Sequence, residues 1–111
     1  MRNLSYISFD EFKKIKLVVG KIIDVIDHPK ADKLYVLKVD MGGETRTLVA
    51  GIKKWYKKDE LLNKYIIVVT NLEPKEIRGV RSEGMLLAAD DGEIVSVLTV
   101  DKKVRLGARV L

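Results

Sequence analysis

The chain has 111 residues, 21 Lys and Arg against 16 Asp and Glu, and a formal net charge of +5. That length supports one hydrophobic core, and 47% hydrophobic with 33% charged residues excludes a disordered chain. Zero Cys excludes thiol catalysis, thiolate metal sites and a disulfide scaffold, and no apolar run approaches the ~20 residues of a membrane span. The first residues lack the apolar core of a signal peptide, so a soluble cytoplasmic domain without membrane partners is expected. The basic excess points to a polyanion as partner, nucleic acid first. The high charged fraction without Gln or Cys is the profile of thermophile proteins.

Ser8-Phe9-Asp10-Glu11 reads as a capping box, with Ser8 as N-cap and Glu11 three residues on. A short helix over about 9–14 follows, with Phe9, Phe12 and Ile15 on its apolar face. Leu17 to Asp27 is dense in β-branched residues, and Gly20 inside it marks a bulge or sharp bend. His28-Pro29-Lys30-Ala31-Asp32 breaks the run. Leu34 to Asp40 alternates as a second strand, Gly42-Gly43 turns the chain, and Thr45 to Val49 returns. Ile52 to Asn63 has little β character and reads as a loop or one helical turn. Lys64 to Asn71 is β-rich and Pro74 ends it. Ile77 to Ala89 follows, Asp91-Gly92 turns again, and Ile94 to Val100 is a last strand. Short strands, one short helix and turns about ten residues apart argue for an all-β barrel or sandwich. Among small barrels, a five-stranded Greek-key OB-fold needs a long bent first strand, which Leu17 to Asp27 supplies. The barrel is expected over about 15–90, with extra C-terminal strand sequence over 91–111.

No constellation for catalysis stands out. His28 is the only histidine, and Ser5, Ser8, Ser82 and Ser96 lack a nucleophile-elbow context. Asp24, Asp27 and Asp32 lack the spacing of a calcium loop, and no phosphate-binding G-x-x-x-x-G-K-[ST] occurs. No catalytic residue, metal or cofactor is therefore expected. Binding features are stronger. Lys53-Lys54-Trp55-Tyr56-Lys57-Lys58 interleaves lysines for phosphates with aromatics for base stacking, or else packs Trp55 in the core behind a solvated lysine face. Lys75, Arg78 and Arg81 recur every three positions, balanced by Glu73, Glu76 and Glu83, and offer Arg forks for phosphate oxygens. Lys102, Lys103, Arg105 and Arg109 form a solvated C-terminal face.

Val19-Gly20-Lys21-Ile22, the stretch from His28 to Tyr35, Leu48 to Ile52, Asn71 to Lys75, and Ile77 to Ala89 together carry a likeness. In this order they resemble the structure-specific tRNA-binding domain family, over roughly Phe12 to Val110. The Gly-x-x-Ser-x-Gly-Met pattern at Gly79, Ser82, Gly84 and Met85 is its most specific part. The resemblance implies an OB-fold that binds tRNA by shape. The family occurs as the β subunit or C-terminal appendage of methionyl-tRNA synthetases and as free-standing proteins. It implies RNA-face roles for Lys33, Arg78, Ser82 and Met85, and for Asn71 by a weaker match. With the basic clusters, the candidate RNA-binding set is Lys33, Lys53, Lys54, Asn71, Lys75, Arg78, Arg81, Ser82 and Met85.

The resemblance also implies a homodimer built from the N-terminal helix and the segment after the barrel. Apolar Leu4, Ile7, Phe9 and Phe12 at one end, and Ile94, Val95, Val97, Leu98 and Val100 at the other, supply the surplus surface. The alternative is that both tails fold back on their own barrel. A methionyl-tRNA synthetase catalytic subunit is a further expected partner, and no H-x-G-H signature makes this chain catalytic itself. The rival class is a protein-binding module, because export-chaperone relatives hold unfolded polypeptides on a similar barrel. Two positions depart from the family: Val18 stands where a charged residue is common, and Asn63 where Gly is common. Asn tolerates the left-handed backbone such a turn needs.

Overall fold

The capping box forms as the sequence dictates. Ser8 Oγ accepts the Glu11 amide at 3.1 Å, Glu11 Oε1 accepts the Ser8 amide at 3.2 Å, and helix α1 (Phe9–Lys13) starts there. In the computed structural model, which describes residues 5–111, no residue of that helix is buried, and Phe9 is 71% exposed. Leu4 lies outside the described residues. Among those described, no helix is long and apolar enough to cross a membrane.

Strand β1 (Leu17–Asp27) is long enough to serve two neighbours. Its first half, Leu17 to Lys21, pairs with β4 (Tyr65–Val69), and its second half, Lys21 to Asp27, pairs with β2 (Tyr35–Asp40). The register slips between Ile22 and Asp24, so the bulge sits three residues beyond the glycine that was expected to make it. Gly20 has a different reason. A Cβ there would lie 2.6 Å from Val39 Cγ1 and 2.9 Å from Met41 Sδ, so the side chains of Val39 in β2 and of Met41 just after it pack directly on bare backbone.

A hairpin through Gly42 (φ 89°) brings in β3 (Thr45–Ala50). After it, helix α2 (Lys58–Leu61) is the single expected turn, and Leu61 is fully buried. Asn63 takes φ 68°, the left-handed conformation that an Asn at this position tolerates. The chain then forms a hairpin of β5 (Lys75–Ile77) and β6 (Val80–Ser82), followed by β7 (Met85–Leu86). The main antiparallel sheet has the order β3-β2-β1-β4-β7. It nearly closes into an OB-like barrel, because the Glu83 amide donates to the Thr47 carbonyl at 2.8 Å across the gap. Ile22, Leu37, Val39, Leu48, Ile66 and Val68 fill the interior.

The end of the chain stays with its own barrel. Strands β8 (Ala88–Asp90) and β9 (Val95–Val97) form a hairpin about Asp91-Gly92, so the last strand is shorter than expected. Val97 is only 8% exposed within the core, and its amide donates to the Tyr56 hydroxyl at 3.0 Å. The following segment returns to the edge of β1 that β2 leaves uncovered. The Val19 amide donates to the Ala108 carbonyl at 2.9 Å, and the Val110 amide to the Leu17 carbonyl at 2.9 Å.

Candidate nucleic-acid interface

Two connections share one rim of the barrel: the turn from His28 to Leu34, joining the first and second barrel strands, and the β5–β6 hairpin, joining the fourth and fifth. In OB-folds these loops flank the ligand-binding face. The hairpin turns on two residues with positive φ, Arg78 at 53° and Gly79 at 90°, the pattern of a tight type I′ turn. Glycine adopts this freely, whereas holding Arg78 there costs roughly 1 kcal/mol or more. The surroundings hold it: Arg78 Nη2 donates to the Lys30 carbonyl at 3.2 Å.

His28 makes the deeper connection. The imidazole is 6% exposed, and the Lys30 amide donates to its Nδ1 at 3.0 Å. The ring proton therefore sits on Nε2, which donates to the Ile77 carbonyl at 2.9 Å. The sequence identifies His28 as a turn residue. Its partner lies 49 residues away, and no local signal announces it.

On this rim Lys33, Lys75, Arg78, Arg81 and Met85 are exposed. Among the described residues, the ion pairs involve none of these four cations. An open groove of about 590 Å³ runs beside the hairpin, with Val49, Leu72, Ile77 and Met85 along its apolar lining. Ser82 stands in its wall at 5% exposure. Its hydroxyl accepts the Val49 amide at 3.0 Å and donates to the Gly84 carbonyl at 3.0 Å. It thus stitches β3 to the end of β6 and to the backbone just before Met85. Asn71 is also engaged internally: Oδ1 accepts the Lys16 amide at 2.8 Å and Nδ2 donates to the Lys14 carbonyl at 2.6 Å. That side chain fixes the exit of helix α1 against the end of β4.

The Lys53–Lys58 segment is arranged otherwise. Lys53 Nζ and Lys58 Nζ lie 2.9 Å and 3.1 Å from the two carboxylate oxygens of Asp27. The hydrogen bond from Lys53, then that from Lys58, holds the Asp27 carboxyl below its usual value, and Asp27 in turn raises Lys53. Trp55 is half-buried, its Nε1 donates to the Glu93 carbonyl at 2.9 Å, and Lys54 Nζ sits 5.4 Å from the indole centroid. Lys33, Lys53, Lys54 and Trp55 border a second open depression of about 490 Å³, so Lys33 links this segment to the rim.

Comparison with known proteins agrees with this architecture. The family described as "Putative tRNA binding domain" matches residues 17–109, and the chain belongs to that family. It is 65% identical over 109 residues to the methionine–tRNA ligase of Pyrococcus furiosus, covering 98% of this chain and 15% of that protein. The chain thus spans about 15% of the length of such curated relatives. Among solved structures, the MetRS related protein from Pyrococcus horikoshii superposes with a TM-score of 0.91 at 38% identity, covering 97% of this chain and all of that one. The CsaA chaperone protein from Picrophilus torridus gives 0.89 at 38% identity, with 96% of this chain and 100% of that chain covered.

Proposed function

We propose that this domain is a non-catalytic tRNA-binding module, reading the shape and phosphate backbone of tRNA rather than base edges. In this reading it raises the tRNA affinity of a methionyl-tRNA synthetase in the cytoplasm, as an appended domain, a β subunit or a free-standing helper. One observation carries it: the 28–34 turn and the 75–82 hairpin are bonded together and present Lys33, Lys75, Arg78 and Arg81 without carboxylate partners among the described residues. Met85 lies exposed beside them, Ser82 and Asn71 shape the surface from within, and Lys53 and Lys54 flank it. Family membership and the ligase relatives support the same reading.

The test is titration with bulk tRNA over a salt series. Log affinity is expected to fall linearly with log salt, by about 0.7–0.9 per phosphate contact. No binding, or an affinity indifferent to salt, overturns the reading. The apolar groove through Leu72, Ile77 and Met85, with the similarity to a chaperone, favours a second reading as a polypeptide holder. A reduced, alkylated polypeptide competing with tRNA at comparable affinity would favour it.

We further propose a homodimer, with the helix over about 9–14 and the 91–111 segment flanking a barrel over about 15–90. Phe9, Phe12 and Ile15 line a shallow apolar depression together with Val110 and Leu111, and Ile94 and Leu98 are exposed as well. Light scattering at micromolar concentration should give twice the chain mass, and a single-chain mass would sink the dimer. Leu98→Asp or Phe9→Asp is the informative variant, because Val97 belongs to the barrel core.

A further inference from the structure

We propose that His28 is a positioning residue for tRNA. It locks the first-to-second strand turn onto the β5–β6 hairpin, so that Lys33 and Arg78 meet the polyanion as one preset surface. This inference rests on the tRNA-binding reading above. The hairpin has two strands of three residues each and lies outside the main sheet. A two-stranded hairpin of that size has little stability of its own. At its root Ser82 holds it to β3 through the Val49 amide. At its tip two hydrogen bonds join it to the turn at 28–34: Arg78 Nη2 to the Lys30 carbonyl at 3.2 Å, exposed, and His28 Nε2 to the Ile77 carbonyl at 2.9 Å, at a buried ring.

The division of labour follows from donor counting. Arg78 commits one of its guanidinium N–H groups to Lys30 and keeps the others for a phosphate. His28 commits both ring nitrogens to the chain, one to each connection, and leaves neither for a ligand. Its contribution to binding is therefore pre-organisation: the rim does not have to be ordered when tRNA arrives, and that ordering would otherwise reduce affinity.

Two variants separate the two bonds. His28→Gln keeps a donor at the reach of Nε2 and gives up the Nδ1 acceptor. His28→Asn keeps an acceptor for the Lys30 amide, in the manner of an Asx turn, and gives up the link to Ile77. His28→Gln should bind tRNA within about threefold of the parent and His28→Asn about tenfold more weakly, the difference being the ordering of the hairpin. The diagnostic readout is a double-mutant cycle with Arg78→Ala. That substitution should cost about tenfold in the parent but only about twofold in the His28→Asn background, because an unanchored hairpin no longer aims the guanidinium. A loss of stability alone would leave the Arg78→Ala factor unchanged.

A parent that binds tRNA with equal Arg78→Ala factors in both backgrounds overturns the positioning role and leaves the tRNA reading intact. A parent that does not bind tRNA overturns that reading first. Should His28→Asn fail to fold, NMR of the parent decides. A slowly exchanging proton on His28 Nε2, unshifted when tRNA is added, is expected. A rapidly exchanging or Nδ1-bound proton, or a bond formed only on tRNA addition, overturns the proposal.

Discussion

The rim formed by the 28–34 turn and the 75–82 hairpin differs from the Lys53–Lys58 segment in a way that charge alone conceals. The segment has the denser charge, four lysines around two aromatics, yet Asp27 pairs with two of them and the indole N–H is committed to Glu93. The hairpin stretch 73–83 has no net charge in sequence, because Glu73, Glu76 and Glu83 balance Lys75, Arg78 and Arg81. Folding removes one of the balancing groups: Glu83 is half-buried, and its Oε1 accepts the Thr47 amide at 3.0 Å in the barrel seam. What a polyanion meets is set by which charges already have partners, and the count of charges is a poor guide to it.

The sharpest way to break the comparison is to remove cations from each region. Arg78→Ala combined with Lys33→Ala should weaken tRNA binding by about 30- to 100-fold at low salt and flatten the salt dependence. Lys53→Ala combined with Lys58→Ala should stay within about fivefold, since these side chains are already paired. Equal losses in a filter-binding titration would erase the distinction. Next in size is the seam on which the rim stands. Ser82→Ala leaves the half-buried Val49 amide without its acceptor and should lower unfolding stability by about 1–2 kcal/mol in urea titration. A change below the error of the titration would remove the seam role of Ser82.

Trp55→Phe keeps an aromatic ring and removes the bond to Glu93, and should cost about 0.5–1.5 kcal/mol of stability. Its tRNA affinity should move by less than about twofold if the indole braces the loop rather than stacking on a base. A larger loss of affinity at unchanged stability would return Trp55 to the interface. The smallest effect concerns pH. The Asp27 carboxyl is held below its ordinary 3.8 by Lys53 and Lys58, so their pairing contributes stability above that value and loses it as pH falls through the lowered one. Lys53, raised above 10.5 by the same partner, contributes below 10.5 and loses it as pH rises through the raised value. Asp27→Asn should therefore flatten both limbs of the stability profile slightly while leaving neutral-pH tRNA binding unchanged. An identical profile would show the pairing to be energetically silent.

Much of the fold was open to reading because its causes are local. The capping box at Ser8 and Glu11, the extent of β1, the Gly42 hairpin and the left-handed Asn63 each follow from the preferences of a few adjacent residues. The order of motifs was enough for the family. The RNA-face candidates were a mixture, because residue type does not say where a side chain points. Lys33, Lys75, Arg78, Arg81 and Met85 lie on the surface, whereas the polar groups of Ser82 and Asn71 bond within the chain.

Sequence by itself determined the strands, the turns, the basic balance and the set of residues from which an interface can be made, since these depend on side-chain period and backbone preference over a few positions. Tertiary structure alone decided which distant pieces meet. It joined His28 to Ile77, 49 residues on, drew Glu83 into the seam, moved the bulge of β1 past Gly20, and returned residues 107–110 to the edge of β1. The physical reason is the same in each case. A buried polar group must find a partner wherever the closed barrel offers one, and that place is set by the geometry of the whole sheet rather than by neighbours along the chain.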